Sequence, residues 1–448
     1  MIFHTIYGIL MVRSCYTVQR KVYRKTLKTF RKKGNESMTK RRKFAVRCTV
    51  IALAAAMLSG CSGERNIISY ESGEVTKADE KSPEIGINNI KAALLLPDDP
   101  TSGACMSSAH ANAFEAAASE LGISSTIIKN ASPDEVEELT KDSNVIFGSV
   151  YDYMNPFDEA SKENPDKLYS CFGGYKYNST NYTNYYAAIY EAQYLAGIVA
   201  GTNSKSGKIG IISEHASDYP DSAAEINSFA IGAKAANADV KIFVKSLHSR
   251  TDTSKAKDYA EDLVKKGCDV ISIQCDSTDP AVIAANEEIR FIGYGTDTGS
   301  YDGARLASLV WDLKEYYRSA LKSASNGTWA DENYYGNLYD GAVALVSLSG
   351  SADKATADKL LSAANLIKNN SFEIFSNQKM VFDAAGKVTL VNAPLIDNKG
   401  NTMISEDGTS YFIYSGEELK SVEPSLATSD KMASSLMNYL VDAVTVIE

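Results

Sequence analysis

The chain has little of what most catalytic and metal-binding chemistry requires. It holds four histidines in 448 residues. His110, His215 and His248 are scattered and share no metal-ligand spacing, so the sequence points to no metal site. None of the seven cysteines stands in a CxxC or Cys/His pattern, which argues against a zinc finger or ribbon. GxSxG, a P-loop and HExxH are all missing. Asp276 and Asp297 could be read as an acid/base pair, but so could any two carboxylates at a cleft. No enzymatic activity and no cofactor are therefore expected.

Basic residues are scarce beyond residue 60. Residues 1–60 carry 14 Lys and Arg and one acidic residue, Glu36, which leaves a net charge of −23 for 61–448. An acidic body argues against a nucleic-acid partner, because phosphate binding needs clustered Lys and Arg. It also disfavours capture of anions such as nucleotides.

The basic start has its own explanation. Met38-Thr-Lys-Arg-Arg-Lys-Phe reads as a charged n-region, and Val50 to Leu58 as an apolar h-region too short to span a bilayer. It ends in Leu58-Ser59-Gly60-Cys61, which resembles a bacterial lipobox. The expectation is a signal peptide over 38–60 and a lipidated Cys61 that anchors the protein in the cell membrane on its extracytoplasmic side. Residues 1–37 read as an over-extended gene start. Residues 61–88 are polar and aperiodic, and read as a flexible tether. Of the later cysteines, Cys105, Cys171, Cys268 and Cys275, buried thiols are expected, with one disulfide permitted outside the cytoplasm.

From Lys91 onward, apolar runs of strand length alternate with helical patterns. KAALLLP, STIIK, NVIFGS and LYSCF make one βα series. KIGIIS, VKIFVK, DVISIQ and RFIGYG make a second. Repeated βα units predict parallel sheets covered by helices, an α/β protein. Tyr185 to Ser213 joins the two series as a hinge-side helix with one apolar face, stopped at Gly201. One lobe is expected over 89–206 with about 299–336, the other over 207–298 with about 337–448. Residues 376–416 read as hairpins with a turn at Asn398-Lys399-Gly400-Asn401, and 430–444 as a final helix. In such sheets ligands bind beyond the carboxyl ends of strands. The loops at 98–108, 150–157, 214–222, 275–280 and 296–302 are therefore the ones to inspect.

An ordered series of short stretches resembles the basic membrane protein family of lipoprotein solute-binding components of ABC importers, the purine nucleoside receptors in particular. The series begins with Tyr153-Met154-Asn155-Pro156, Gly174-Tyr175, and Asn181 with Tyr185. YEAQYLAGIVAG (190–201) carries most weight, followed by Lys208-Ile209-Gly210 and EINSFAIGA (225–233). Asp276-Ser277, SLVW (308–311), Tyr316-Tyr317, NGTW (326–329) and Asp340-Gly341 complete it. The resemblance implies a type I periplasmic-binding-protein fold: two Rossmann-like lobes with parallel sheets, joined by three crossovers and closing by hinge motion. It implies a nucleoside ligand, with a base against aromatics and ribose hydroxyls on carboxylates. It also implies ABC permease subunits as partners. A monomer is expected.

The departures lie in the first loop, which lacks an aromatic before His110, and in Thr296-Asp297-Thr298, which keeps one carboxylate. Ligand-binding residues are expected at Met106 and Ser107 in that first loop, with Met106 packing on a base through its sulfur. Among Tyr151, Asp152 and Tyr153, one is expected to face the cleft. Phe229 would stack on the base and Asn227 bind its edge; alternatively both are ordinary residues of an amphipathic helix. Asp276 and Asp297 would hold ligand groups or cap helices, and Ser277 is also good N-cap chemistry. Trp311 would line the cleft or sit in the core. A sugar or polyol suits the same residue types. A ligand sensor and a surface adhesin are the rivals outside transport.

Overall fold

The computed structural model describes residues 82–101, 105–178, 180–249, 252–295, 301, 303–329, 333–350, 354–383, 385–423, 426 and 428–448. Cys61, the signal segment and Asp297 lie outside them.

Strands covered on both faces are mostly apolar, as the buried runs AALL of 92–95, VIFG of 145–148 and VISI of 270–273 are. The first unit runs β1 (Lys91–Leu95), α1 (Cys105–Leu121), β2 (Ser124–Ile128), β3 (Val145–Gly148), α2 (Met154–Glu163), β4 (Leu168–Phe172) and β5 (Tyr182–Ala187). α3 (Ile189–Asn203) then leads to β6 (Lys208–Ser213), α4 (Pro220–Ala236), β7 (Lys241–Ser246) and α5 (Thr253–Lys265). Next come β8 (Val270–Gln274), α6 (Asp279–Asn286), β9 (Arg290–Gly293) and β10 (Arg305–Trp311). α7 (Lys314–Asn326), β11 (Tyr334–Gly336), β12 (Val343–Val346) and α8 (Lys354–Lys368) follow. The hairpins are β13 (Gln378–Phe382) with β14 (Val388–Asn392), β15 (Leu395–Ile396) with β16 (Thr402–Ile404), and β17 (Phe412–Ser415) with β18 (Glu418–Ser421). β19 (Val444–Val446) closes the chain's order.

The first sheet has the order β11-β5-β4-β3-β1-β2 and is parallel throughout. The second has the order β12-β10-β9-β8-β6-β7-β19, with only β12 antiparallel. The chain passes between the sheets after β5, after β10 and between β11 and β12. This is the expected α/β architecture of two Rossmann-like lobes with a hinge of three crossovers. One boundary differs from expectation. Arg305–Trp311 pairs with β9 and β12, so it belongs to the second lobe, and the return to the first begins with α7. There Lys314 meets Glu120 of α1 at 2.7 Å.

α3 is buried nearly all round, not on one face as the sequence suggested. Gly201 does not stop it, for the helix runs on to Asn203. Its glycines serve close packing on α4 instead. A Cβ at Gly197 would stand 2.0 Å from the Phe229 carbonyl oxygen, and one at Gly201 would stand 2.4 Å from that of Ala233. On α4, a Cβ at Gly232 would stand 2.1 Å from the Tyr194 carbonyl oxygen. No side chain fits such gaps, so the backbones of α3 and α4 touch.

Two further expectations are corrected. Residues 430–444 are not one helix: a short turn at Ser429–Lys431 and a π turn at Met432–Leu436 precede β19. Residues 82–88 are not free tether, since Ser82 is buried and Ile85 N–H donates to the Ala324 carbonyl at 2.9 Å. The turn at 398–401 lies between β15 and β16 as expected, with Gly400 at φ +87°. Cys171 and Cys268 are free, buried thiols. No helix among the described residues is long and apolar enough to cross a membrane.

Candidate functional site

The strand ends of both sheets meet at one cavity. Phe172 ends β4, Tyr186 lies near the end of β5, Ser213 ends β6, Gln274 ends β8, Tyr294 follows β9 and Trp311 ends β10; all line it. Met106 from α1, Ile189 at the hinge, Glu214 just after β6, and Asp221, Ser222 and Glu225 from the start of α4 complete the wall. Its space, open mouth included, is about 440 Å³.

Each lobe brings an aromatic pair. Phe172 and Tyr186 lie 5.2 Å apart in the first, while Tyr294 and Trp311 meet edge to face at 4.9 Å in the second. Between them runs a polar relay. Tyr294 Oη donates to Glu225 Oε1 at 3.1 Å, Gln193 Nε2 to Glu225 Oε2 at 2.9 Å, and Gln274 Nε2 to Gln193 Oε1 at 3.2 Å. Loss of hydration pushes Glu225 up to about 8, against the bonds from Gln193 and Tyr294 that favour its charge. Two buried polar atoms of the wall make no hydrogen bond: Trp311 Nε1, a donor, and Gln274 Oε1, an acceptor. Such atoms are costly unless something supplies a partner. Among the described residues the lining holds three carboxylates and no Lys or Arg.

A family model described as ABC transporter substrate-binding protein PnrA-like, the Bmp family, matches residues 93–378. This chain belongs to the Bmp family. A purine-binding protein of Brucella abortus is 30% identical over 47% of this Bmp chain and 59% of its own length. An ABC transporter protein of Haloferax volcanii, provisionally named for glucose binding, is 27% identical over 52% of this chain and 60% of its own. The Bmp chain thus spans about 60% of the length of these curated relatives. Among solved structures, a solute-binding protein from Conexibacter woesei superposes with TM-score 0.53 at 18% identity, over 63% of this chain and 98% of that one. A transcriptional activator from Bacillus halodurans gives 0.54 at 22%, over 63% and 99%. These two likenesses concern the fold.

The structure sorts the site residues that the Bmp sequence suggested. It brings Met106 and Trp311 to the cavity. Asp276, buried just past β8, accepts a hydrogen bond from Met106 N–H at 3.1 Å, tying the second lobe to the start of α1. Ser107 is buried beside Met106. Ser277 lines a separate hollow within the second lobe, with Thr278, Tyr301 and Arg305. Tyr153 is core: its hydroxyl donates to the Ala131 carbonyl at 2.9 Å. Tyr151 and Asp152 are exposed, and neither lines the cavity.

Asn227 and Phe229 are also spent elsewhere. Phe229 is fully buried where α4 meets α3. Asn227 Nδ2 donates to the Tyr439 carbonyl and its Oδ1 accepts from Val441 N–H, both at 2.8 Å, so it pins the C-terminal segment. Sequence reasoning missed Glu225, Gln274 and Tyr294, although Glu225 opens the EINSFAIGA stretch and the other two end apolar strands. It also saw no link among the histidines, yet His215 and His248 lie together about Asp218.

Proposed function

We propose that this protein is a lipid-anchored, extracytoplasmic solute-binding protein that captures a nucleoside, purine type favoured, for an ABC importer. The observation that carries the ligand reading is the cavity wall: aromatic pairs from both lobes, three carboxylates, and no cation among the described residues. Aromatic faces suit a base, and carboxylates suit ribose hydroxyls. The orphaned Trp311 Nε1 and Gln274 Oε1 offer one donor and one acceptor to a base or sugar edge. Three carboxylates in the wall repel a phosphate. The relative named for purine binding supports the ligand, and the family's description supports the importer. Cys61 would carry the anchor, and permease subunits would receive the closed, loaded monomer. No chemical step belongs to this role.

The relative provisionally named for glucose favours a second reading, a sugar or polyol held by the same carboxylates. Thermal unfolding against nucleosides, bases, nucleotides and sugars separates the two. A ligand at about a hundred times its Kd adds roughly 2.7 kcal/mol of stability. A shift with guanosine, inosine or adenosine and none with their phosphates is the expected result. A shift with sugars alone would replace the nucleoside by a polyol, and no shift with any ligand would remove the transport reading.

A further inference from the structure

The register of the second sheet brings two histidines together from distant parts of the chain. β6 and β7 are parallel neighbours, with Ser213 opposite Ser246. Two residues beyond each of these stand His215 and His248. Asp218, on the loop leading into α4, lies between them. Its Oδ2 is 3.5 Å from His215 Nδ1 and 3.7 Å from His248 Nδ1. One ligating atom from each of the three lies within 4.8 Å of the others.

Those separations are too long for good hydrogen bonds. They are close to the edge of a coordination tetrahedron, about 3.4 Å for metal–ligand bonds near 2.1 Å. His215 Nδ1 is shielded from solvent and makes no hydrogen bond. The surroundings hold the three groups in place. Asp218 Oδ1 accepts from Ala216 N–H at 2.9 Å, which turns Oδ2 toward the imidazoles. The His215 ring packs on Tyr219 with centroids 4.0 Å apart. His248 takes a left-handed backbone conformation, φ +50°, uncommon outside glycine.

We propose that His215, Asp218 and His248 form a binding site for a divalent transition-metal ion of the zinc class, at the rim of the ligand cavity. Two imidazole nitrogens and one carboxylate oxygen suit Zn²⁺, Co²⁺ or Ni²⁺ and not Ca²⁺ or Mg²⁺, which take oxygen ligands. The protein supplies three ligands, and the fourth position is left for water or an incoming group. The same loop begins at Glu214 and leads into Asp221 and Ser222 of α4, all three in the cavity wall. A bound ion would fasten that loop to the end of β7, and so fix one side of the mouth. The site is independent of which solute the cavity takes.

The test uses the full chain in detergent, stripped with EDTA and dialysed against ZnCl₂ and, separately, CoCl₂. The expected result is one more metal ion per chain than a His215→Ala/Asp218→Asn/His248→Ala triple variant retains, since that variant corrects for cysteines and adventitious sites. Co²⁺ should give visible d–d absorption that the triple variant lacks. His248→Ala alone, at an exposed position, should weaken Zn²⁺ binding at least tenfold, and His248→Asn, which tolerates the left-handed backbone, should do the same. Far-UV circular dichroism confirms that each variant is folded. Equal metal content in wild type and triple variant would overturn the proposal and leave the cluster as a polar contact of Asp218 with the two imidazoles. Binding unchanged in His248→Ala would overturn the assigned ligand set.

Discussion

One helix, α4, has two faces that do opposite work. Toward α3 and the C-terminal segment it presents Asn227, Phe229 and Gly232, all buried. Toward the cavity it presents Asp221, Ser222 and Glu225. The first face is packed to backbone contact, and its polar side chains are committed, Asn227 to Tyr439 and Val441 and Ser228 to the Tyr190 carbonyl of α3. The second keeps a carboxyl group that would lose less by being in water. A packed face lowers the energy of the fold, whereas a face with an uncomfortable carboxyl keeps interaction capacity for a ligand.

The contrast breaks if the packed face can be altered freely. Gly232→Ala puts a Cβ 2.1 Å from the Tyr194 carbonyl oxygen, and neither backbone can yield without moving a helix. The expected loss is about 3 kcal/mol, at the upper end for overpacking. Denaturant unfolding at one pH measures it, and ligand affinity of the folded fraction should be unchanged. A variant as stable as wild type would mean that α3 and α4 are not in backbone contact. The opposite face should behave in reverse. Glu225→Gln keeps the shape and removes a carboxyl that burial makes costly at neutral pH, so the unfolding midpoint should hold or rise. Ligand affinity should fall about tenfold, roughly 1.4 kcal/mol. Loss of stability with full affinity would place Glu225 among the structural residues.

The same two faces explain what could be read from the chain. The parallel sheets were legible because strands covered on both sides are written as short apolar runs: KIGIIS and DVISIQ allow little else. The choice of helix was legible too, since α4 does reach the cavity. Which of its faces does so was not. That rotation is set by Gly197, Gly201 and Gly232 drawing α3 and α4 together, which local periodicity does not report. Phe229 and Asn227 are aromatic and polar as a ligand site would be, yet they lie on the packed side. The C-terminal segment failed for a related reason: residues 430–444 have helical spacing, but Asn227 takes the backbone groups of Tyr439 and Val441 for itself. His215 and His248 are adjacent only through the pairing of β6 with β7, a fact of register with no trace in spacing.

A finer comparison sets Glu225 against Glu191 of α3. Burial pushes both up to about 8. Glu191 accepts from Leu338 N–H at 2.8 Å beside the crossover into β12 and lines no part of the cavity, whereas Glu225 does line it. Both raised values have the same sign for folding. Between about 4.5, the ordinary value, and about 8, the folded chain holds protons that the unfolded chain has released. The stability contributed by these two groups is therefore full below about 4.5 and falls as pH rises to about 8, at no more than about 1.4 kcal/mol per pH unit for each. Glu191→Gln and Glu225→Gln should each flatten that fall. Ligand binding should tell them apart. Hydroxyls donating to Glu225 favour its charged form, lower its pKa and expel a proton, so affinity should rise with pH toward 8. Calorimetry at pH 7 in buffers of different ionisation enthalpy should find up to one proton released on binding in wild type and in Glu191→Gln, and less in Glu225→Gln. Equal release in all three would separate Glu225 from the ligand and leave both carboxyls as consequences of burial alone.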